Sequence, residues 1–435
     1  MKVVLISTYE LGRQPFGLAS PAAWLRARGH EVLCADLSVS PLPSQGVREA
    51  EFVGFYLPMH TATRLAAPVI GKVRAANPHA RLGAYGLYAP LNERYLRSLG
   101  VDVIAGGEFE PALAAALEGG ASPLISLDRL RFEIPDRSGL PKLQRYAPLH
   151  RDGRKIVVGY TEASRGCKHL CRHCPVVPVY AGAFRVVQVE VVLEDIRRQV
   201  ASGAGHITFG DPDFFNGPAH AVRIVDALHA EFPGITYDVT IKVEHLLKHS
   251  DLLPVLRRTG CLWVTSAVES TEDAVLEKLA KNHTRADFLA ALRVMRAEGL
   301  HLSPTFVPFT PWTSLDGYRD LLHVLAEEDL VDSVAPIQLA LRLLIPAGSL
   351  LLELDDVPPS FDEAALLHRW RHGDPRVDEL ARRIFDLVSR EQRAGMPRRA
   401  LFGRIWEEAH DGKPPENFDL MPRATVPYLD EPWYC

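Results

Sequence analysis

The chain has 435 residues, 47% of them hydrophobic and 24% charged, and a formal net charge of −5. That length exceeds one ordinary core, so two α/β domains and a smaller tail region are expected, and the composition leaves no room for a long disordered segment. The acidic balance argues against a broad electropositive face for nucleic acid, no apolar stretch approaches a bilayer span, and MKVVLISTYE lacks the regions of a signal peptide; together these read as a cytoplasmic protein with no membrane partner.

Residues 1–118 alternate short apolar runs with helix-length segments. VVLI (3–6), EVLCADL (31–37), FVGFYL (52–57), ARLGAYG (80–86) and VDVIAGG (101–107) read as strands, while AAWLRARG and YLRSLG, each stopped by Gly, read as helices. The alternation predicts a doubly wound, Rossmann-like parallel sheet whose ligand edge is formed by loops 7–17, 58–63, 85–90 and 106–110. Residues 119–155, with Pro123, Pro135, Pro141 and Pro148, read as a linker. From 156 to 350 about six β/α repeats can be counted, from IVVGYTEAS to VAPIQLALRLLI, which predicts a partial (β/α)6 barrel. Residues 351–435 read as a C-terminal helical region, including DELARRIFDLVSREQRAG, followed by a Pro-rich tail.

The six cysteines do not resemble a secreted disulfide framework. Cys34 and Cys261 lie in apolar runs and read as small buried hydrophobes. Cys167, Cys171 and Cys174 form a CxxxCxxC loop directly after the first strand of the second module. Three thiolates at this spacing can each bind a different iron of a cubane and leave the fourth iron open for a chelating substrate. Two alternatives stand beside this reading: zinc held by two or three of these thiolates with His169 or His173, and an electron-transfer cluster completed by Cys34, Cys261 or Cys435. His169 and His173 also have a plain reading as solvated side chains.

The segments TEASRGCKHLCRHCPV, HITFGDPDFFNGP and GCLWVTSAVES resemble the radical S-adenosylmethionine (SAM) superfamily. The resemblance implies a [4Fe-4S] cluster on Cys167, Cys171 and Cys174, with SAM as cosubstrate and a reductant such as flavodoxin or ferredoxin. His173 stands where the family usually has an aromatic residue, and its flat ring suits the same place beside cluster and adenine. Gly210 and Asp211 match the family's Gly-Gly-Glu-type strand end, which implies a contact with the SAM amino group; an Asp-Pro turn is the alternative. Glu269 matches the Gly-x-Glu-Ser pattern, with Ala267 in place of Gly, and would accept hydrogen bonds from the ribose or the amino group. Lys242, Gln338 and Arg342 are polar residues within strand-like apolar runs and are further candidates for SAM binding, the two cations toward a carboxylate or an anionic substrate, with an internal salt bridge as their alternative.

The order of domains is similar to the radical SAM class with an N-terminal cobalamin (B12)-binding domain, and GGEFEPAL at 106–113 resembles the end of such a domain. The Asp-x-His-x-x-Gly signature is absent and His60 lies on a different loop, so the resemblance implies either cobalamin held without a lower His ligand or a domain that has lost the cofactor. Methylthiolation fits poorly, because only Cys34 lies where an auxiliary cluster would need three thiolates. Together with TIKVEHLLKH, PTFVPFTPWTS and RLLIPAGS, these motifs resemble a radical SAM (seleno)protein family named for a Cys-(selenocysteine or Cys)-Ala-Glu-Pro (CUAEP/CCAEP) tail, related to the enzyme thought to build the arsenic–carbon bond of arsinothricin. The chain stops at Cys435, the first residue of such a tail. This implies a selenocysteine codon read as a stop and makes Cys435 a catalytic candidate; a frayed terminus with one thiol is the alternative. The family implies transfer of the 3-amino-3-carboxypropyl group of SAM to trivalent arsenic or another soft nucleophile, on a small-molecule substrate. A cobalamin-dependent methyltransferase and a non-enzymatic iron–sulfur electron-transfer protein are the other readings.

Overall fold

The computed structural model describes residues 1–121, 123–357, 360–414 and 427–429. The apolar runs at the start form a parallel sheet of β1 (Lys2–Ser7), β2 (Glu31–Asp36), β3 (Phe52–Tyr56), β4 (Arg81–Tyr85), β5 (Val103–Gly107) and β6 (Ile125–Ser126), in the order β2-β1-β3-β4-β5-β6. All five strand-like runs become strands; β1, β3, β4 and β5 are buried on both faces, while β2 at the sheet edge leaves Leu33 exposed. Val4, Ile6, Val53 and Phe55 pack under the helix His60–Ala76, while Val3, Leu5, Phe52 and Tyr56 pack under Phe16–Arg26 and Phe109–Leu117.

The segment expected to be a plain linker does more than cross between domains. It adds β6 to the sheet edge and starts the hairpin β7 (Leu149–Arg151) and β8 (Arg154–Ile156). Its Arg137 forms a bidentate pair with buried Asp195 at 2.8 Å and donates to Gln14 and to the Tyr160 carbonyl, so one guanidinium joins the first domain, the linker and the second.

The second module opens with β9 (Val158–Thr161), followed by the antiparallel pair β10 (Ser164–Gly166) and β11 (Phe184–Val186). Three further strands, β12 (His206–Phe209), β13 (Thr236–Thr240) and β14 (Cys261–Glu269), precede β15 (His301–Phe306). The parallel order is β15-β14-β13-β12-β9, an open partial barrel. Among the described residues five parallel strands are present in this barrel, where about six repeats were counted. The sixth station is a single parallel bridge, Phe309 to Arg342, because PIQL forms a 3-10 turn at Pro336–Leu339. Pro336 lacks the N–H that a strand at this place would donate.

Side chains alternate across the barrel wall. Ile207, Phe209, Tyr237, Val239, Val264 and Phe306 enter the outer core under the helices. Thr208, Asp238, Thr240, Thr265, Ser303 and Thr305 line an inner cavity of about 1320 Å³. After the barrel come the hairpin β16 (Phe361–Asp362) and β17 (Leu367–His368), the helices Pro375–Arg393 and Arg398–Ala409, and β18 (Tyr428–Leu429), which pairs with β7. Among the described residues no helix is long and apolar enough to cross a membrane.

Candidate functional site

Cys167, Cys171 and Cys174 lie on the loop between β10 and β11, past the carboxyl end of β9. The loop is held at several points. Asn216 accepts the Lys168 N–H at 3.1 Å and lies 3.9 Å from the Cys167 sulfur. The Arg172 N–H donates to the Leu279 carbonyl at 2.9 Å, its guanidinium to the carbonyls of Glu277 and Lys278, and Ser349 donates to the Arg172 carbonyl. Two residues before the first cysteine, Arg165 is buried among Glu110, Glu108 and Glu162, at 2.7, 3.4 and 2.8 Å.

These thiols suit a metal cluster. Burial pushes Cys174 up to about 12, with the nearby Cys171 and Cys167 adding to the rise, and burial also raises Cys167. Thiolates gathered in such a place need positive charge beside them, which iron supplies.

His169 and Asp213 stand beside Cys167, while Cys34 and Cys261 lie in strands of the two sheets. Cys167, His169 and Asp213 bring ligand atoms within 4.8 Å of one another, which is the zinc-like grouping. Yet both ring nitrogens of His169 face carboxylates, Nε2 at 3.3 Å from Asp213 and Nδ1 at 3.5 Å from Glu244. Asp213 also meets His245 Nδ1 at 2.7 Å and accepts the Phe215 N–H. Burial acts to raise Asp213, but the His169 and His245 rings beside it outweigh that and hold the carboxyl below its usual range. Cys34 is buried in β2 against the Leu18 carbonyl. Cys261 begins β14, so eight residue rises of about 3.3 Å separate it from the strand's carboxyl end by roughly 26 Å. Neither reaches the cysteine loop; Cys435 lies outside the described residues.

The remaining candidates divide by position. Glu269 ends β14 with φ of 70°, a left-handed conformation that costs a non-glycine residue about 1–2 kcal/mol. It is buried and meets His173 Nε2 at 3.2 Å and Lys281 Nζ at 3.4 Å. Burial alone would raise its carboxyl, but the Lys281 charge and the His173 hydrogen bond bring it down to about 2. His173 thus links the cysteine loop to the end of β14. Lys242 is buried at the start of the helix Val243–Lys248; its Nζ lies 3.6 Å from Glu244 and makes no hydrogen bond among the described residues. Burial, together with the charges of Lys281 and Lys242, holds neighbouring His283 down to about 4.

Gly210 and Gln338 line the barrel cavity. A Cβ on Gly210 would sit 1.8 Å from the Tyr160 hydroxyl, so only glycine fits. The Gln338 side chain accepts the Phe306 N–H at 3.2 Å from its 3-10 turn, not from a strand. Asp211 accepts the Ala163 N–H at 3.0 Å and the Ser164 hydroxyl at 2.5 Å, so it fastens the end of β12 to the strand leading into the cysteine loop. Burial pushes it up to about 7 despite those donors. Arg342 takes the salt-bridge alternative: it pairs with Asp378 at 2.7 Å and lies over the Trp370 ring, on the outside of the barrel. Sequence reasoning missed Lys281, His245 and Arg165. His245 stood in the quoted TIKVEHLLKH motif, Arg165 in TEASRGCKHLCRHCPV and two of its partners in GGEFEPAL, whereas Lys281 lay in no motif.

A pH test follows from Glu269. Its folded value of about 2 lies below the roughly 4.3 of a free glutamate, so its stabilisation is present above about pH 4.3 and lost as pH falls toward 2. Denaturant unfolding of apoprotein is expected to favour wild type over Glu269→Gln at pH 7, with the gap shrinking below pH 4. An unchanging gap would contradict the ion cluster.

Residues 161–315 match the Radical SAM superfamily. The chain therefore carries a radical SAM domain, the domain of enzymes that use a [4Fe-4S] cluster and SAM. It is 25% identical over 178 residues to the ribosomal protein uS12 methylthiotransferase of Parabacteroides distasonis, covering 38% of this chain and 40% of that one. It is 23% identical over 320 residues to the hopanoid C-3 methylase of Methylococcus capsulatus, covering 69% and 62%. The chain thus spans less than two thirds of either relative. In fold it is similar to the cobalamin-dependent radical enzyme OxsB with aqua-cobalamin bound (TM-score 0.65, 14% identity, 88% of this chain and 66% of that one). It is also similar to the methyltransferase TsrM from Kitasatospora setae with cobalamin and a [4Fe-4S] cluster bound (TM-score 0.59, 16% identity, 75% and 73%).

Proposed function

We propose that this chain cleaves SAM reductively at a [4Fe-4S] cluster held by Cys167, Cys171 and Cys174 and uses the resulting radical on a small molecule. The observation that carries the reading is the three-thiol loop at the carboxyl end of an open barrel, joined through His173 to Glu269. Held by these three thiolates, a reduced cluster would supply the single electron that cleaves the sulfonium. Glu269, kept ionised by Lys281, is an acceptor for ribose hydroxyls or the SAM amino group. Lys242, buried beside Glu244 with no hydrogen bond among the described residues, is the cation for a carboxylate, while the missing side chain of Gly210 makes way for the Tyr160 ring at the strand end. Reduction by a flavodoxin or ferredoxin fits the single-electron demand.

For the group transferred, the tail-named family to which the motifs are similar favours 3-amino-3-carboxypropyl transfer to trivalent arsenic or another soft nucleophile. The fold of the cobalamin-dependent neighbours favours a second reading, methyl transfer through cobalamin. Product analysis separates them. Anaerobic turnover with dithionite, SAM and arsenite is expected to yield methylthioadenosine; S-adenosylhomocysteine would favour methylation and overturn the first reading.

A further inference from the structure

The strand order places a topological switch point between β1 and β3, and a doubly wound sheet binds its ligand at the carboxyl edge around that point. A corrinoid needs a cleft there of several hundred Å³. In this chain the edge is filled by the chain's own groups. The Thr8 hydroxyl donates to the Ala62 carbonyl at 2.8 Å, closing the crevice between the loops after β1 and β3, and Tyr9 and Glu10 beside it are buried. At the end of β3, the Tyr56 ring packs onto Gly17 so closely that a Cβ there would lie 2.1 Å away. The Tyr56 ring also lies tilted against Tyr85 and Phe109, with centroids 5.5 and 6.1 Å away, and the Tyr85 hydroxyl donates to the Gly17 carbonyl.

The end of β5 is closed from the other domain. Glu108 and Glu110 are fully buried; Glu110 accepts Arg165 in a bidentate pair at 2.9 and 2.7 Å and the Ser20 hydroxyl at 2.6 Å, and Glu108 accepts the Tyr180 hydroxyl. The Arg165 guanidinium lies over the rings of Phe16, Phe109 and Phe132, at 5.6, 4.9 and 5.0 Å. Helices that follow β3 and β4 meet the hairpin β16–β17: His60 Nε2, at the start of His60–Ala76, lies 2.7 Å from the Ala365 carbonyl, and Arg94 of Glu93–Ser98 makes an exposed pair with Glu363 at 3.2 Å. The large cavity borders this domain only at Leu11 and Arg13.

We propose that the N-terminal domain takes no corrinoid, and that Arg165 and the hairpin at 361–368 are the resident occupants of the edge where this architecture binds a ligand. The domain then serves as a fixed wall that sets the loop entering Cys167 through Arg165. The test uses full-length protein reconstituted with iron and sulfide and active in SAM cleavage. It is mixed anaerobically with hydroxocobalamin, with and without reductant, passed through a desalting column, and assayed for cobalt and corrin absorbance. Background cobalt, with SAM cleavage equal with and without hydroxocobalamin, is the expected result. Retention of close to one cobalt per chain would overturn the proposal, whatever the reaction product.

Discussion

A Cys174→Ala chain is expected to lose SAM cleavage by at least about a thousandfold, or about 4 kcal/mol of barrier, because the proposed cluster would lose one of its three thiolate anchors. Cys174 is the thiol whose burial pushes its proton affinity up to about 12, so it becomes a thiolate only against the charge of the iron. Removing it should lower bound iron and the broad cluster absorbance together with activity. Cys34→Ala and Cys261→Ala are the matched controls. Both thiols are buried in strands away from the loop, and both variants are expected to keep full iron and activity at a modest packing cost. A Cys261→Ala chain lacking its cluster would restore the four-cysteine reading.

Arg165→Met is expected to cost about 3–5 kcal/mol of stability, the size seen when one partner of a buried ion cluster is removed. Arg165 is 6% exposed and faces three carboxylates, two of them fully buried and donated by the other domain. Burial already pushes Glu108 up to about 7 with the guanidinium opposing it. Without that cation Glu108, Glu110 and Glu162 must take up protons or separate. Urea unfolding at pH 7 followed by tryptophan fluorescence should show an earlier midpoint, and the deficit should shrink at pH 5 as the stranded carboxyls protonate. A midpoint equal to wild type at both pH values would remove the clamp from the account. Double substitution with Glu110→Gln is expected to recover part of the loss, since it withdraws one stranded charge.

The strands and the cysteine loop were legible because their signals are local. An apolar run flanked by Gly is a strand wherever the sheet lies, and three cysteines within eight residues read the same way in any context. The polar candidates were less legible, since a cation in an apolar run has the same sequence signature whether it turns inward or outward. Lys242 is buried, whereas Arg342 sits on the outer side of the sixth station, where Asp378 from a helix 36 residues later meets it. Gln338 was read as a strand residue because PIQLAL is apolar, but Pro336 turned it into a 3-10 corner. Glu269 stood out as a carboxylate closing an apolar strand, yet its partner Lys281 lies beyond an intervening helix and no spacing rule joins the two. The Arg165 cluster joins residues up to 57 positions apart and two domains, so both halves of it were visible as motifs while their meeting was not.

The most direct measurement is anaerobic reconstitution followed by dithionite and SAM, with iron counting, electron paramagnetic resonance and chromatography of the SAM products. The account predicts a [4Fe-4S] cluster lost on substitution of any one of Cys167, Cys171 and Cys174, a signal that changes when SAM is added, and cleavage of SAM. A cluster held by four cysteines with an unchanged signal and intact SAM would contradict it.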